Sequence, residues 1–321
     1  NHRSGASRSN RVIYARLAPT YDRMDEPVLL TGAGGRVGQA ILRGIGDDYE
    51  WRLLDREPLP AAKVPDGVTD ADQYVADITN ADAVREAMEG VGAVIHLAGD
   101  PRKTAPWDSV LRNNIDGTQV VMRAAVDAGV KKFAFASSNH AVGGYETEER
   151  TPDLYRPDDG YRLDGTELPR PGNLYGVSKA AGESLGRFYH DEHGMSVVCV
   201  RIGNLTKDHP PREYERGQAM WLSHRDCGHL FDRCLQADYG YEIVYGISNN
   251  DRRYYSIERA REVLGYDPAD NSADYTFEGK PKDETGDEND NPTADGGETR
   301  FDDPPAEPNF PSDPDTPTDG A

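Results

Sequence analysis

Residues 28–42 read "VLLTGAGGRVGQAIL". An apolar run enters a glycine-rich turn, and a run with apolar residues at helical spacing leaves it. Gly32, Gly35 and Gly38 carry the spacing G-x-x-G-x-x-G. The first glycine suits a tight turn, the second lets a pyrophosphate approach the backbone, and the third lets helix pack on strand. Glycines are common in loops, so the context decides. The next apolar run, "WRLLD" (51–55), ends in an acid, Asp55, 20 residues beyond Gly35. A carboxylate there is placed to accept hydrogen bonds from a ribose diol. A structural turn beside a surface aspartate is the plain alternative. Strand, turn, helix and strand-end acid together favour a dinucleotide. The Asp55 charge repels the 2′-phosphate of NADP, which favours NAD, while Arg36 and Arg56 lie near enough to offset part of that repulsion.

Outward from this loop, apolar runs alternate with helical patterns. The strand-like runs are 28–30, 51–55, "QYVAD" (73–77), "AVIHLAG" (93–99), "KFAFASS" (132–138), "SVVCVRI" (196–202) and "EIVYGIS" (242–248). Helix-like stretches lie at 36–46, 80–89, 107–128 and 175–193. Such alternation, with strands rich in β-branched residues, predicts an α/β fold with a Rossmann-type doubly wound parallel sheet. In that fold, ligands meet the carboxyl ends of the strands. Asp77 and Ile78 end the third run, where an adenine edge can be met. Leu97, Ala98 and Gly99 end the fourth with no bulky side chain in a dinucleotide's path. Ser138 ends the fifth, where its hydroxyl can hold that of a substrate. Each position has a packing or turn role as its alternative, including an N-cap for Ser137 or Ser138.

Composition narrows the class. The chain has 321 residues and a net charge of −21, from 57 acids and 36 bases, of which eight are lysines. An acid-rich, lysine-poor surface suits a protein that stays hydrated in concentrated salt, where the Debye length is ~3 Å at 1 M. An ordinary acidic cytosolic enzyme is the alternative. Such a charge argues against a nucleic-acid partner. Cys199, Cys227 and Cys234 form no C-x-x-C, which suits a reducing cytoplasm and gives no metal signal. No apolar run reaches the ~18 residues of a membrane helix.

The ends differ from the middle. Residues 1–23 hold five arginines and one acid, and are expected to be a disordered extension upstream of a natural start at Met24. A targeting peptide is the less favoured alternative, since no apolar segment or cleavage pattern is present. Residues 276–321 hold 14 acids and 3 bases among many Pro, Gly and Thr, and are expected to be a disordered acidic tail. Residues 24–275 are then expected to be the NAD-binding domain, with a small carboxyl-terminal substrate subdomain.

Residues 174–183 read "LYGVSKAAGE". Tyr175 and Lys179 stand one helical turn apart and share a face. A solvated surface pair is the plain reading; a phenol made acidic by a neighbouring ammonium is the chemical one. The order of glycine loop, strand-end acid, strand-end serine and Y-x-x-x-K resembles the short-chain dehydrogenase/reductase superfamily, in its extended branch. "FASSNHAVG", "NLYGVSKAAGE", "VVCVRIGN" and "MWLSHRDCGHL" resemble the uronate dehydrogenases. "EPVLLTGAGGRVGQAIL", "RNNIDGTQ" and "DRRYYSIERAREVLGYDP" resemble the NAD-dependent glucose-6-phosphate dehydrogenases of halophilic archaea.

The resemblance implies a dehydrogenase acting at the anomeric carbon of a sugar. Tyr175 would be the base, Lys179 its helper and a ribose ligand, and Ser138 the group orienting the hydroxyl. A free tyrosine has a pKa of ~10, so Lys179 and the nicotinamide charge are expected to tune it down. Val37 and Ile202 join Arg36 and the positions above as cofactor contacts. Asn114 in "RNNIDGT" matches the helix asparagine that supports the lysine through water, with capping as its alternative. Asn139, His140 and Asn204 fall in the substrate motifs. Arg216, five residues before Trp221, matches the arginine that grips a sugar acid's carboxylate. A guanidinium holds a phosphate equally well. An ion pair with Glu213 or Glu215 is the other reading of Arg216. His140 and Arg102 are further anion readers, each with a structural alternative.

Asn204 stands where the uronate group has serine, and the stretch between Ser138 and Tyr175 is longer; both departures count against a uronate substrate, and the phosphorylated sugar is what the resemblance implies. An extended-branch sugar-nucleotide epimerase or dehydratase needs a larger carboxyl-terminal domain than the about 75 residues available. A non-catalytic NAD-binding protein would have no need of both Tyr175 and Lys179. The resemblance also admits a homo-oligomer built on helices near 107–128 and 175–193. No metal is expected.

Overall fold

The structure is a computed structural model and describes residues 26–64, 66, 72–146, 162–206, 210–211 and 215–275. The expected disordered ends, 1–23 and 276–321, lie outside the described residues.

Seven strands form one parallel sheet: β1 (Val28–Thr31), β2 (Trp51–Asp55), β3 (Gln73–Val75), β4 (Ala93–His96), β5 (Lys132–Ser138), β6 (Ser196–Ile202) and β7 (Tyr241–Gly246). Their order is β3-β2-β1-β4-β5-β6-β7. All seven apolar runs became strands, three with the expected bounds and four with shifted ends. β3 stops at Val75: Ala76 N still donates to Asp55 O at 2.9 Å, but the Asp77 carboxylate then accepts Thr79 N at 2.9 Å and turns the chain. β4 stops at His96 because the Thr31 hydroxyl accepts both Leu97 N and Ala98 N at 3.2 Å. The strand order reverses between β1 and β4, which opens a crevice at their carboxyl ends.

The strands bury both faces, as a parallel sheet requires. Leu30, Leu53, Ile95, Val198 and Val200 face α1 (Arg36–Ile45), α6 (His224–Gln236) and α7 (Glu258–Leu264). Leu29, Leu54, Val94, Phe133 and Val197 face α2 (Ala81–Met88), α3 (Gly117–Asp127) and α4 (Leu174–His193). α1 and α6 touch through glycines: a Cβ on Gly44 would lie 3.0 Å from the Cα of Gly228. α4 starts where Asn173 caps Gly176 N at 2.8 Å, and ends at Gly194, whose φ of 70° is left-handed.

The helical stretch 107–128 is not uniform. Between Trp107–Ser109 and α3, Val110–Asp116 is wound as a π-helix. Such bulges realign side chains along a helix, and Asn114 lies inside this one.

A third, smaller core collects Val142, Leu163, Met220, Tyr245, Ile247, Tyr254, Tyr255 and Ile257. It is built from segments that leave the carboxyl ends of β5 and β7, together with α5 (Glu215–Ala219) and the chain behind it. Among the described residues, no helix is long and apolar enough to cross a membrane.

Candidate active site

A cleft of about 930 Å³ runs along the carboxyl ends of β1, β2, β4, β5 and β6. At one end is the glycine loop. Gly32 adopts φ +71°, and a Cβ there would sit 2.9 Å from Ala98 N. A Cβ on Gly38 would sit 2.7 Å from Ala33 O, so the third glycine brings helix against strand. A Cβ on Gly35 would meet only Gly32 O, at 3.2 Å, and is otherwise in open space. No side chain caps α1, and no acid lies in its first turn. An open, uncapped, acid-free helix start fits a pyrophosphate.

Asp55 reaches back to this loop. Its Oδ2 accepts Gly34 N at 2.8 Å and its Oδ1 accepts Arg56 N at 2.7 Å, which fixes the carboxylate at the cleft wall. Arg36 also lines the cleft but spends Nη1 on Leu205 O at 2.9 Å. Val37, Asp77, Ile78, Leu97, Ala98, Gly99 and Ile202 line the same cleft. Asp77 doubles as a turn former, and its hydrogen bonds from Thr79 hold its pKa below the usual carboxylate range. Ile78 also packs against Gly117, where a Cβ would lie 2.6 Å from its Cδ1. The residues present therefore fit NAD in an extended pose.

Asn114 is buried and does not line the cleft. Its Oδ1 accepts Asp100 N at 2.6 Å, and its Nδ2 donates to Asp100 O and Ser178 Oγ, both at 3.0 Å. It pins the loop after β4 to α4, one residue before Lys179. His96, which the sequence left as part of a strand, is wholly buried beside it. Thr118 Oγ1 donates to Asn114 O at 2.6 Å, so it accepts from His96 Nε2 at 3.1 Å, and His96 Nδ1 accepts from Thr31 Oγ1 at 2.7 Å. The ring is neutral: burial, and then the charge of Lys179, lower its pKa to about 3.

Tyr175, Lys179 and Ser138 meet at the middle of the cleft. α4 comes close enough because a Cβ on Gly182 would strike the Phe135 ring at 2.2 Å. The Lys179 ammonium donates to Ala136 O at 2.7 Å and lies 5.0 Å from the Phe135 ring centroid and 5.5 Å from that of Tyr175. In the ligand-free protein, burial pushes the Tyr175 pKa up to about 12; a hydrogen bond with Ser138 works against this, and the charge of Asp100 adds to it. Burial lowers Lys179 itself to about 8, against the raising effect of Glu183. Ser138 is both an N-cap, accepting His140 N at 3.2 Å, and a cleft residue. Ser137 points to the other face and donates to Glu183 Oε1 at 2.6 Å.

At the far end lie Asn139, His140, Asn204 and Arg216. The bond network orients the Asn139 amide so that its nitrogen donates to Ile202 O at 3.2 Å and its oxygen accepts Arg216 Nη2 at 2.9 Å. Asn204 joins Met220 O through its backbone N at 2.8 Å. The His140 ring stands edge-on to Tyr175, centroids 5.8 Å apart. Asn173 Oδ1 is taken by Gly176 N, so its Nδ2 donates to His140 Nδ1 at 3.3 Å, and His140 carries its proton on Nε2. Burial lowers its pKa to about 3, with Arg216 and Lys103 adding to the effect. His140 is thus a neutral hydrogen-bond donor, not a cation.

Arg216 is an ion-pair arginine, but with another acid than the neighbouring ones. Glu213 and the side chain of Glu215 lie outside the described residues. Its partner is Glu146, to which Nη2 donates at 2.9 Å and which Nε also contacts. Arg102 folds back onto Asp100 in a two-pronged pair at 2.9 and 2.6 Å. Lys103, its neighbour, lines the cleft and was not singled out by the sequence. Among the described residues, no cluster of His, Cys, Asp or Glu is arranged to hold a metal ion.

Comparisons with known proteins agree with this geometry. A Haloferax volcanii protein named NAD-dependent glucose-6-phosphate dehydrogenase is 76% identical over 261 residues, covering 81% of this chain and 100% of its own length. The uronate dehydrogenase of Pseudomonas syringae pv. tomato is 35% identical over 76% of this chain and 82% of its own. A crystal structure of a uronate dehydrogenase variant from Agrobacterium tumefaciens, complexed with NAD, superposes with a TM-score of 0.65 at 29% identity, covering 80% of this chain and 92% of that one. Residues 28–222, from the first strand to the segment behind Arg216, match one family description throughout, and the chain belongs to the NAD dependent epimerase/dehydratase family.

Proposed function

We propose that the protein is an NAD-dependent dehydrogenase that oxidises glucose 6-phosphate at its anomeric carbon to 6-phosphogluconolactone. The observation that carries this reading is the 76% identity to the Haloferax volcanii enzyme over that enzyme's whole length. The cleft supports it: a dinucleotide cradle at one end, a phenol and hydroxyl in the middle, and basic side chains at the other end.

NAD, when bound, supplies the acceptor for the hydride that leaves the anomeric carbon. Gly35 and the α1 start would hold its pyrophosphate, Asp55 the adenosine ribose and Lys179 the nicotinamide ribose. Ser138 orients the anomeric hydroxyl. Tyr175, as phenolate, takes that hydroxyl's proton, and the freed electron pair closes the carbonyl of the lactone. His140 donates Nε2–H into the pocket and fixes the Tyr175 ring edge.

The test is a panel of glucose 6-phosphate, glucose, arabinose and glucuronate, each with NAD and with NADP at high salt. Glucose 6-phosphate with NAD should give the highest kcat/KM. Faster oxidation of glucuronate would replace this reading with uronate dehydrogenation.

Asp55 sets the cofactor preference in this reading. Asp55→Asn keeps an oxygen for Gly34 N–H but removes the charge facing a 2′-phosphate. The ratio of NADP to NAD use should rise roughly tenfold or more, the scale of one removed charge repulsion at a surface cleft. An unchanged ratio, measured as relative kcat/KM for the two cofactors, would take Asp55 out of that role.

A further inference from the structure

We propose that Lys103 reads the phosphate of the substrate, and that Arg216, locked to Glu146, is a neutral positioning pair at the same end of the cleft. The inference rests on the sugar-phosphate reading above and names the residue that enforces it.

The argument is a charge balance at one wall. Arg102, Lys103, His140 and Arg216 all line the cleft there. Arg102 is matched by Asp100, whose side chain is only 8% exposed. Arg216 is matched by Glu146, whose side chain is 5% exposed. Glu146 stays ionised: burial would raise its pKa, but the charge of Arg216 and hydrogen bonds from Arg216 and Tyr255 hold it below the usual value. His140 is neutral. Among the described residues of this wall, Lys103 alone keeps an unmatched positive charge, since no described group forms a hydrogen bond or ion pair with its ammonium.

Lys103 is placed for the task. It senses both members of the Arg216–Glu146 pair without bonding to either: burial and the charge of Arg216 lower its pKa, and Glu146 raises it. The residue stands at the surface, and its side chain forms part of the cleft wall. A phosphate arriving there meets a cation that, among the described residues, has no partner to give up. A phosphate arriving at Arg216 would first have to displace a buried carboxylate that is also held by Tyr255. Glu146 thus occupies the Nε–Nη2 edge of the guanidinium, which a carboxylate substrate would otherwise take. The chain carries a net charge of −21, and in concentrated salt only a charge in direct contact attracts an anion.

The test uses the full chain at high salt with saturating NAD, and compares glucose 6-phosphate with glucose. Lys103→Ala should lower kcat/KM for glucose 6-phosphate roughly 10- to 100-fold, the worth of one charged hydrogen bond, mostly through KM. Glucose should change by less than about twofold, and Lys103→Arg should recover most of the loss. Arg216→Lys should lower both sugars together. If Lys103→Ala leaves the two sugars in their wild-type ratio, Lys103 does not read the phosphate. If Arg216→Lys alone removes the preference for the phosphorylated sugar, Arg216 is the reader. Wild-type protein that fails to oxidise glucose 6-phosphate at all sinks the substrate reading first, which separates the two failures.

Discussion

Replacing Tyr175 by phenylalanine is expected to lower turnover roughly a thousandfold or more while leaving NAD binding and thermal stability near those of the wild type. Only the hydroxyl is lost. The ring stays on the cleft wall, edge-on to His140 and beneath the Lys179 ammonium. The environment of that hydroxyl adds a second expectation. With burial pushing the phenol to about 12, the ligand-free protein holds it protonated at neutral pH. The active form is the phenolate, so wild-type kcat/KM should rise with pH toward the alkaline limit at which Lys179, lowered by burial to about 8, loses its proton. Positive charge brought in with the cofactor lowers the phenol, because it favours the anion. The Phe variant should lose this alkaline rise along with its activity. Stopped-flow turnover and a cofactor fluorescence titration over pH check both halves. Near-normal turnover in the variant would remove Tyr175 from the chemistry.

The frame of this site was readable from short-range pattern. The glycine loop, Asp55, Ser138 and the Tyr175–Lys179 pair each sit in a local motif whose spacing follows from strand and helix geometry, so their order along the chain was enough. Side chains whose role depends on partners far away in sequence were not readable. Arg216 and Glu146 lie 70 residues apart, and no local signal shows that the one neutralises the other. Arg102 and Lys103 are adjacent, and only the fold of the loop decides that the first turns onto Asp100 while the second stays unmatched. Asn114 was legible as a helix residue, but its hydrogen bonds to Asp100 and Ser178 depend on a π-helical segment that the 3.6-residue pattern conceals. The helix α7 gave a weaker pattern than the strands, since its charged residues outnumber the apolar ones that pack on the sheet. Arg201 lies in the sixth apolar run with nothing local to mark a partner, yet it is fully buried.

That burial leads to the largest expected loss of stability, from Glu183→Ala. Arg201 points from β6 into the layer beneath α4, and its Nε and Nη2 donate to the two Glu183 oxygens at 2.8 and 2.9 Å. Ser137 adds a third bond to the same carboxylate at 2.6 Å. The side chains are 0% and 3% exposed. Among the described residues, removing the carboxylate leaves the buried guanidinium with only Glu167, 3.4 Å away, as a charge partner. Breaking a buried pair from one side costs about 3–5 kcal/mol. For a domain of this size that lowers Tm by on the order of 10 °C. The loss should be as large at high KCl as at low, because salt does not reach a buried pair. By contrast, Arg187–Asp191 on the outer face of α4, 58% and 48% exposed, should contribute almost nothing measurable in either condition. Glu183→Leu combined with Arg201→Met should recover most of the stability, since an apolar pair needs no desolvation. It should not recover the pH profile. Glu183 sits one helical turn beyond Lys179 and raises its pKa against burial. Without Glu183 the ammonium titrates below about 8, so the alkaline limit of activity moves down in both the single and the double variant. A Tm for Glu183→Ala within about 2 °C of the wild type, where about 10 °C is expected, would show that Glu167 alone satisfies Arg201. An unmoved alkaline limit would show that Glu183 supports the fold but not Lys179.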